Sequence, residues 1–194
     1  MQQNFFAHST AVIDDGATVG EGTSIWHFSH LMKDCKIGNN CTIGQNVFIA
    51  NNVVLGNNVK VQNNVSLYEG VICEDDVFIG PSCVFTNIIN PRSAVSRKKE
   101  FKQTLVKKGA SIGANATIIC GIVIYEFAFV GAGAVATKNV AAYSLVAGNP
   151  AKRIGWMSEH GNKLLFDDKG IAVCSLSGEK YQLKNNVVEK IKTK

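Results

Sequence analysis

A chain of 194 residues has room for one domain with a small appendage at most. With 46% hydrophobic and 18% charged residues it fits a soluble globular protein and excludes a disordered one. The formal charge of +5 is uneven: Ile88 to Gly109 carries Arg92, Arg97, Lys98, Lys99, Lys102, Lys107 and Lys108 against Glu100, a local +6, and the rest sums to −1. A nucleic-acid binder spreads such charge over a broad face, so this concentration points to a local anion site and to no nucleic-acid partner.

The start, "MQQNFFAHST", has neither a basic nor an apolar leader region, so no export signal is expected. The most apolar run, "ATIICGIVIYEFAFVGAGAVA", is broken by Thr, Gly and Glu and is rich in β-formers, so no membrane insertion is expected either. A cytoplasmic location follows. "NFFAHSTA" is expected to cap one end of what comes next. From Ile13 an apolar residue recurs every six positions: Val19, Ile25, Leu31, Ile37, Ile43, Ile49, Leu55, Val61, Leu67, Cys73, Ile79 and Phe85. Four residues after each stands a small or β-branched side chain, from Ala17 through Val47 and Val65 to Cys83. Two inward positions in six fit neither a 3.6-residue helix nor a long strand. Short strands joined by tight turns fit, and "GNN" at Gly38 and Gly56, "GQN" at Gly44 and "ANN" at Ala50 supply residues that tolerate left-handed backbone. Such a period predicts a parallel β-helix. Of the six cysteines, none forms a C-x-x-C pair and four (Cys35, Cys41, Cys73, Cys83) fall at inward positions, which predicts buried free thiols in a reducing compartment.

Within the repeat, the hexad "IWHFSH" turns Trp26, His27, Phe28 and His30 outward, on an edge shared with Gln45, Asn63 and Pro81. Trp26 and Phe28 read as interface residues. If eighteen residues make one coil, Glu69 and Asn87 lie one above the other at about the 4.8 Å strand spacing, as do Tyr68 and Thr86. Their hexads, "LYEGVI" and "FTNIIN", lack the Gly and Asn turn pattern, so polar and aromatic groups project where the repeat breaks. The break, expected as a loop insertion over 88–109, ends where the rhythm resumes at Ile112, Ile118, Ile124 and Val130. After "ATKNVAAYS" the rhythm fades. Domain boundaries are expected at 1–155 for the β-helix and 156–194 for a small C-terminal β-hairpin or meander built from "KLLF", "IAVC" and "KYQL", separated by "DDKG" and "SLSGE".

The hexad spacing resembles the left-handed β-helix of the hexapeptide acyltransferases, and the fold class implied is all-β: a left-handed parallel β-helix with a loop insertion and a small C-terminal β-hairpin/meander unit. "WHFSH", "GQNVFIANNVVLGNNVKVQNNVSLYEGV", "PSCVFTNIINPRS", "RKKEF", "TLVKKGASIGANATIICG", "VGAGAVATKNV" and "GNPAKRIGWMSEHG" together resemble the bacterial nucleotide-sugar N-acetyltransferases. Within that family the likeness is to the branch that acetylates the 3-amino group of UDP-2-acetamido-3-amino-2,3-dideoxyglucuronate in O-antigen synthesis. The resemblance implies a homotrimer that binds acetyl-CoA and a nucleotide sugar between neighbouring prisms, bringing the His27 edge of one subunit towards the Asn87 corner of the next. It also implies that Asn87 orients the reacting amine through its carbonyl oxygen, with Glu69 one coil below, or a histidine of the neighbour, accepting the proton.

Tyr68, His27 and His30 are then candidate substrate contacts. Arg92 is the first candidate for the diphosphate or the sugar carboxylate because its fork binds either bidentately, with Lys98 and Lys99 next. For the cofactor, the small residues of "IGANAT" and "VGAGAVAT" (Gly113, Gly131, Ala132, Ala136) would let a pantetheine arm lie against the backbone, and Lys152 and Arg153 of "LVAGNPAKRI" would meet CoA phosphates. The tail, "WMSEHG" and "CSLSGEKY", looks like a zinc ribbon that keeps only His160 and Cys174, so no structural zinc and no other metal is expected. Three alternatives stand beside this reading: acetylation of a dTDP-3-amino-3,6-dideoxyhexose, a γ-type carbonic anhydrase with a three-histidine zinc centre, and a noncatalytic β-helix module.

Overall fold

The structure, a computed structural model, describes residues 4–192. Strands, most of two residues, alternate with two-residue turns, and every third strand joins the same sheet. Three sheets of nine, seven and six strands result, all parallel except for one antiparallel strand at the end of the first. In each repeat the first strand residue faces out and the second faces in, as in Ser24–Ile25 and Thr42–Ile43, where both isoleucines are fully buried. The inward residues and the small ones four positions later, such as Val47, Val53, Val59 and Val65, form one continuous core along the column. Full burial of each large aliphatic contributes roughly 1.5–3 kcal/mol.

Successive coils are 18 residues apart, as Ser24 with Thr42 and Lys60 with Phe78. The turns carry two distinct demands. Asn40, Asn46, Asn52, Asn58 and Asn64 take left-handed φ values of 54° to 61°, which Asn tolerates better than most residues. Their amides also join coils, as Asn46 Nδ2 donates to Asn64 Oδ1 at 3.0 Å and Asn58 Nδ2 to Asp76 Oδ1 at 2.8 Å. Gly38, Gly44 and Gly56 are not left-handed, contrary to the sequence expectation. They are glycine because the next coil is too close: a Cβ on Gly44 would lie 2.7 Å from Asn63 Oδ1 and 2.8 Å from Asn63 N.

The interruption is shorter than expected. Thr104–Val106 is already a strand of the third sheet, pairing Cys73 with Val106, so the rhythm resumes one hexad before Ile112. Ser66 pairs with Val84 at 18 residues, but Val84 pairs with Thr117 at 33, so the insertion adds 15. Lys107 and Lys108 therefore belong to a coil and not to the loop.

At the start, the segment expected to cap the column is itself its first strand, Phe6–Ala7, paired with Ser24–Ile25, while Phe5 packs against the core. At the far end Ser144–Ala147 runs parallel to Phe129–Val130 and antiparallel to Lys152–Trp156, which leads into a second core of Trp156, Leu164, Ala172, Cys174, Tyr181 and Val188. That unit is an antiparallel sheet of Ile171–Val173, Lys180–Lys184 and Val187–Lys190. "KLLF" forms no strand; Leu164 is buried and Leu165 is exposed. An aromatic stack reaches this second core from a turn of the coils, with Phe127 and Tyr143, both left-handed, 5.5 Å apart and Tyr143 5.7 Å from Tyr181. All six cysteines are free and buried. No helix among the described residues is long and apolar enough to cross a membrane.

Candidate active site

The corner between the second and third sheets is the one the loop leaves. Glu69 and Asn87 occupy equivalent turns there, each just after a strand of the second sheet, Ser66–Leu67 and Val84–Phe85, whose pairing sets them one coil apart. By the 33-residue step Cys120 is the next residue in that column, and its N–H donates to Thr86 Oγ1 at 2.9 Å. The loop closes on the same corner: Lys102 N–H donates to the Asn87 carbonyl at 3.0 Å, and Thr104 N–H to the Gly70 carbonyl at 2.9 Å. Gly70 and Gly121 make room for the returning chain. A Cβ on Gly70 would lie 3.1 Å from Lys102 O, and one on Gly121 3.1 Å from Lys102 Cδ.

Glu69 is half-buried and its Oε1 accepts from Asn52 Nδ2 at 3.1 Å. Tyr68 is exposed beside it, 6.0 Å from the ring of Phe48, which in turn lies 5.9 Å from His30. His30 Nε2 is 3.0 Å from Asp14 Oδ1. The two histidines expected on one edge therefore separate. His30 sits within the second sheet, on the face that leads to Tyr68, because its position in the hexad is a strand position. His27 is in the turn at the other corner of that sheet, with its ring 3.6 Å from that of His8. Its column with Gln45 and Asn63 is as expected: Asn46 N–H donates to His27 O, and Gln45 N–H to Asn63 Oδ1 at 2.9 Å. Trp26, His27, Gln45 and Asn63 line a cavity of about 370 Å³ there. Phe28 beside it is 62% exposed yet left-handed at φ 57°, a conformation costly for a bulky residue.

The basic excess is smaller than counting suggests. Arg97 is paired with Glu100 at 2.9 Å, Lys107 with Glu74 at 2.9 Å and Lys108 with Asp76 at 3.7 Å. The Lys107 hydrogen bond holds the Glu74 carboxyl below its ordinary value. Arg92, Lys98, Lys99 and Lys102 have no carboxylate partner among the described residues, and all four are exposed.

Of the residues expected to meet the cofactor, Gly113 and Gly131 stack in successive coils, and a Cβ on Gly113 would lie 2.9 Å from Ala132 Cα. Their smallness thus serves coil packing first. Ala132 is exposed, whereas Ala136 turns into the core at 1% exposure and offers a ligand its backbone, not its side chain. Lys152 and Arg153 are exposed on the strand Lys152–Trp156. The Arg153 guanidinium is partly engaged, 2.6 Å from Asn186 Oδ1 and 4.4 Å over the Trp156 ring. Among the described residues no group of three or more His, Cys, Asp or Glu side chains is placed to hold a metal. In the tail, the Cys174 thiol lies 3.3 Å from Ser158 Oγ.

Sequence reading missed Asn52, Phe48, Lys102 and Cys120. Asn52 looks like an ordinary turn residue, and its reach to Glu69 appears only at a 17-residue offset. Cys120 joins the Asn87 column only once the loop length is known.

Residues 7–51 match the family described as bacterial transferase hexapeptide (six repeats), and residues 35–69 and 108–138 match the hexapeptide repeat of succinyl-transferase. The matched stretches all lie within the coils. Among curated relatives, the dTDP-3-amino-3,6-dideoxy-alpha-D-galactopyranose 3-N-acetyltransferase of Aneurinibacillus thermoaerophilus is 43% identical over 93 residues, 48% of this chain and 47% of the relative. The 2,3,4,5-tetrahydropyridine-2,6-dicarboxylate N-acetyltransferase of Staphylococcus aureus (strain JH9) is 37% identical over 84 residues, 43% of this chain and 32% of the relative. The chain thus spans half or less of the length of these relatives. Among solved structures, the UDP-N-acetylglucosamine acyltransferase LpxA of Bacteroides fragilis 9343 superposes with a TM-score of 0.66 at 17% identity, over 79% of this chain and 61% of the other. The acetyltransferase domain of PglB from Neisseria gonorrhoeae FA1090 in complex with acetyl coenzyme A superposes at 0.54 with 19% identity, over 78% and 58%. At these identities the likeness is one of fold.

Proposed function

We propose that this protein is an acetyl-CoA-dependent N-acetyltransferase for the 3-amino group of a nucleotide-linked amino sugar, with UDP-2-acetamido-3-amino-2,3-dideoxyglucuronate as substrate and O-antigen or surface-polysaccharide synthesis as its setting. The observation that carries this reading is the corner itself. The insertion into the repeat has a carboxylate (Glu69), a carboxamide (Asn87) and a phenol (Tyr68) at the foot of a loop whose Arg92, Lys98, Lys99 and Lys102 have no carboxylate partner among the described residues. The relative named as a 3-N-acetyltransferase of a nucleotide-linked amino sugar, and the solved neighbour that holds acetyl coenzyme A, support the same chemistry.

In this reading the amine is already a good nucleophile, so the protein aligns the reactants and handles one proton. The Asn87 carbonyl oxygen accepts an N–H and aims the lone pair at the thioester carbon. A nitrogen–carbon bond forms, the carbon–sulfur bond breaks, the amine proton passes to Glu69 directly or through water, and CoA leaves as its thiol after protonation. Arg92, Lys98 and Lys99 bind the diphosphate and the uronate carboxylate, and Tyr68 lines the sugar site. Acetyl-CoA runs past Gly113, Gly131, Ala132 and the backbone of Ala136, with Lys152 and Arg153 at its phosphates. The assembly is a homotrimer, in which the exposed Trp26 and strained Phe28 form contacts and His27 and His30 approach the neighbour's corner. Release of CoA thiol from acetyl-CoA, followed against a panel of UDP- and dTDP-linked amino sugars, tests this; no thiol release above the hydrolysis background with any of them would end it.

A second substrate reading has its own support. The relative at 43% identity is named for a dTDP-3-amino-3,6-dideoxyhexose. That sugar has no carboxylate, so competition between the two nucleotide sugars separates the readings.

A further inference from the structure

Beside the corner the loop borders an open cavity of about 540 Å³, lined by Ile88, Ile89, Asn90, Glu100, Phe101 and Lys102. A cavity of this size suits a small ligand. Its walls are made by both ends of the loop, the departing Ile88–Asn90 and the returning Glu100–Lys102. They are held together by the bond from Lys102 N to Asn87 O. The loop between them is braced by two local turns. Val95 N–H donates to Arg92 O at 3.1 Å and Glu100 N–H to Arg97 O at 2.8 Å, and Arg97 Nη1 reaches both Glu100 carboxylate oxygens at 3.0 and 2.9 Å. That pairing occupies the cavity's one carboxylate.

What remains is an aromatic face, two aliphatic walls, a carboxamide and an ammonium. Ile89 is 58% exposed, a large apolar side chain at the start of the loop. An aromatic ring with aliphatic neighbours stacks on a planar base. A carboxamide offers both a donor and an acceptor to the edge of such a base. Lys102 lines the cavity, and Lys98 and Lys99, which like it have no carboxylate partner among the described residues, lie on the same loop and would meet a diphosphate. We infer that this cavity is the nucleobase subsite, with the pyrimidine packed against Phe101 and Ile89, its edge read by Asn90, and the diphosphate directed towards the Glu69–Asn87 corner. This rests on the nucleotide-sugar reading above and deepens it, since the loop inserted into the column then selects the nucleotide while the column presents the sugar.

The test uses the full chain and calorimetric titration with UDP and with acetyl-CoA. Wild type is expected to bind UDP, Phe101→Ala to weaken UDP binding by at least about tenfold, and both to bind acetyl-CoA equally. Ile89→Glu is a second variant at a position too exposed to be needed for folding, and it is expected to abolish UDP binding by placing a charge against base and phosphate. UDP affinity unchanged in Ile89→Glu and in Phe101→Ala overturns the subsite. If wild type turns over an amino-sugar nucleotide while both variants do so equally well, the subsite fails and the proposed activity stands. If wild type neither binds UDP or dTDP nor acetylates any such sugar, the activity fails and the subsite with it.

Discussion

Replacing Asn87 by Ala removes one carboxamide and almost nothing else. Its contribution to the fold is made by the backbone: Lys102 N–H donates to Asn87 O at 3.0 Å, and that bond does not need the side chain. The side chain is half-buried at the surface of the column, outside the core. Stability is therefore expected to change by less than about 0.5 kcal/mol, as for other surface sites. On the proposed mechanism what is lost is a hydrogen bond to the amine, worth about 0.5–1.5 kcal/mol, together with the alignment it imposes. A loss of about 1.4 kcal/mol in the transition state lowers turnover roughly tenfold, and tenfold is the least we expect. The assay is thiol release at saturating amino-sugar nucleotide, with acetyl-CoA affinity and melting temperature measured on the same sample. Turnover equal to wild type removes Asn87 from the mechanism. A fall in acetyl-CoA affinity as large as the fall in turnover would show instead that Asn87 belongs to the cofactor site.

Three further predictions concern the scaffold. Gly44→Ala, although its φ is ordinary, is expected to cost about 1–3 kcal/mol by forcing a methyl into the backbone of the next coil; an unchanged denaturation midpoint would contradict the close-approach explanation. Lys190 bridges Glu159 at 2.8 Å and Glu179 at 2.6 Å, so Lys190→Met leaves two carboxylates facing each other, and limited proteolysis should cut the C-terminal sheet faster while the coils stay protected. The Glu74–Lys107 pair gives a pH dependence with a definite sign. The Glu74 carboxyl is held below its ordinary 4.5, so its stabilisation is present above that value and lost as pH falls through the lower folded pKa. The difference in stability between wild type and Lys107→Met should therefore shrink in denaturant titrations between pH 6 and about pH 3; a difference that stays constant would show that the pair contributes nothing.

The coils were legible in the sequence because the inward positions are chemically uniform. From Ile25 to Phe85 every sixth residue is buried, including Cys73, whose thiol burial pushes up to about 12. Geometry tied to that period, such as the stacking of Glu69 with Asn87 and of His27 with Gln45 and Asn63, came with it. What stayed hidden depends on length or on direction. The loop's end falls at Val106, six residues before Ile112 and so within the apolar step, but Val106 is embedded in the basic run, and counting charge assigns Lys107 and Lys108 to the wrong element. His27 and His30 share a hexad but not a face, and only the distinction between turn and strand positions separates them. Ion pairs such as Arg97 with Glu100 and Lys107 with Glu74 lower the effective charge of a segment in a way that a residue count does not register.

The placement of the insertion lets a rigid solenoid carry the proposed site. Fifteen added residues leave the coils above and below in register, since Phe85 still pairs with Ile118 and Cys73 with Val106. Loop closure costs only about (3/2)RT ln n, so length is cheap once the two ends are fixed. Gly70 and Gly121 fix them by letting Lys102 lie flat across the corner. The column then sets the separation of Glu69 from Asn87 through strand pairing, independently of what the loop contains. Residues such as Ile89, Arg92 and Lys98 can vary with the ligand without disturbing that separation. A deletion of Ser93 to Lys99 would follow from the same logic: the denaturation midpoint of the column holds within a few degrees while UDP affinity is lost, and a column that unfolds instead would show that the loop is part of the fold and not an attachment to it.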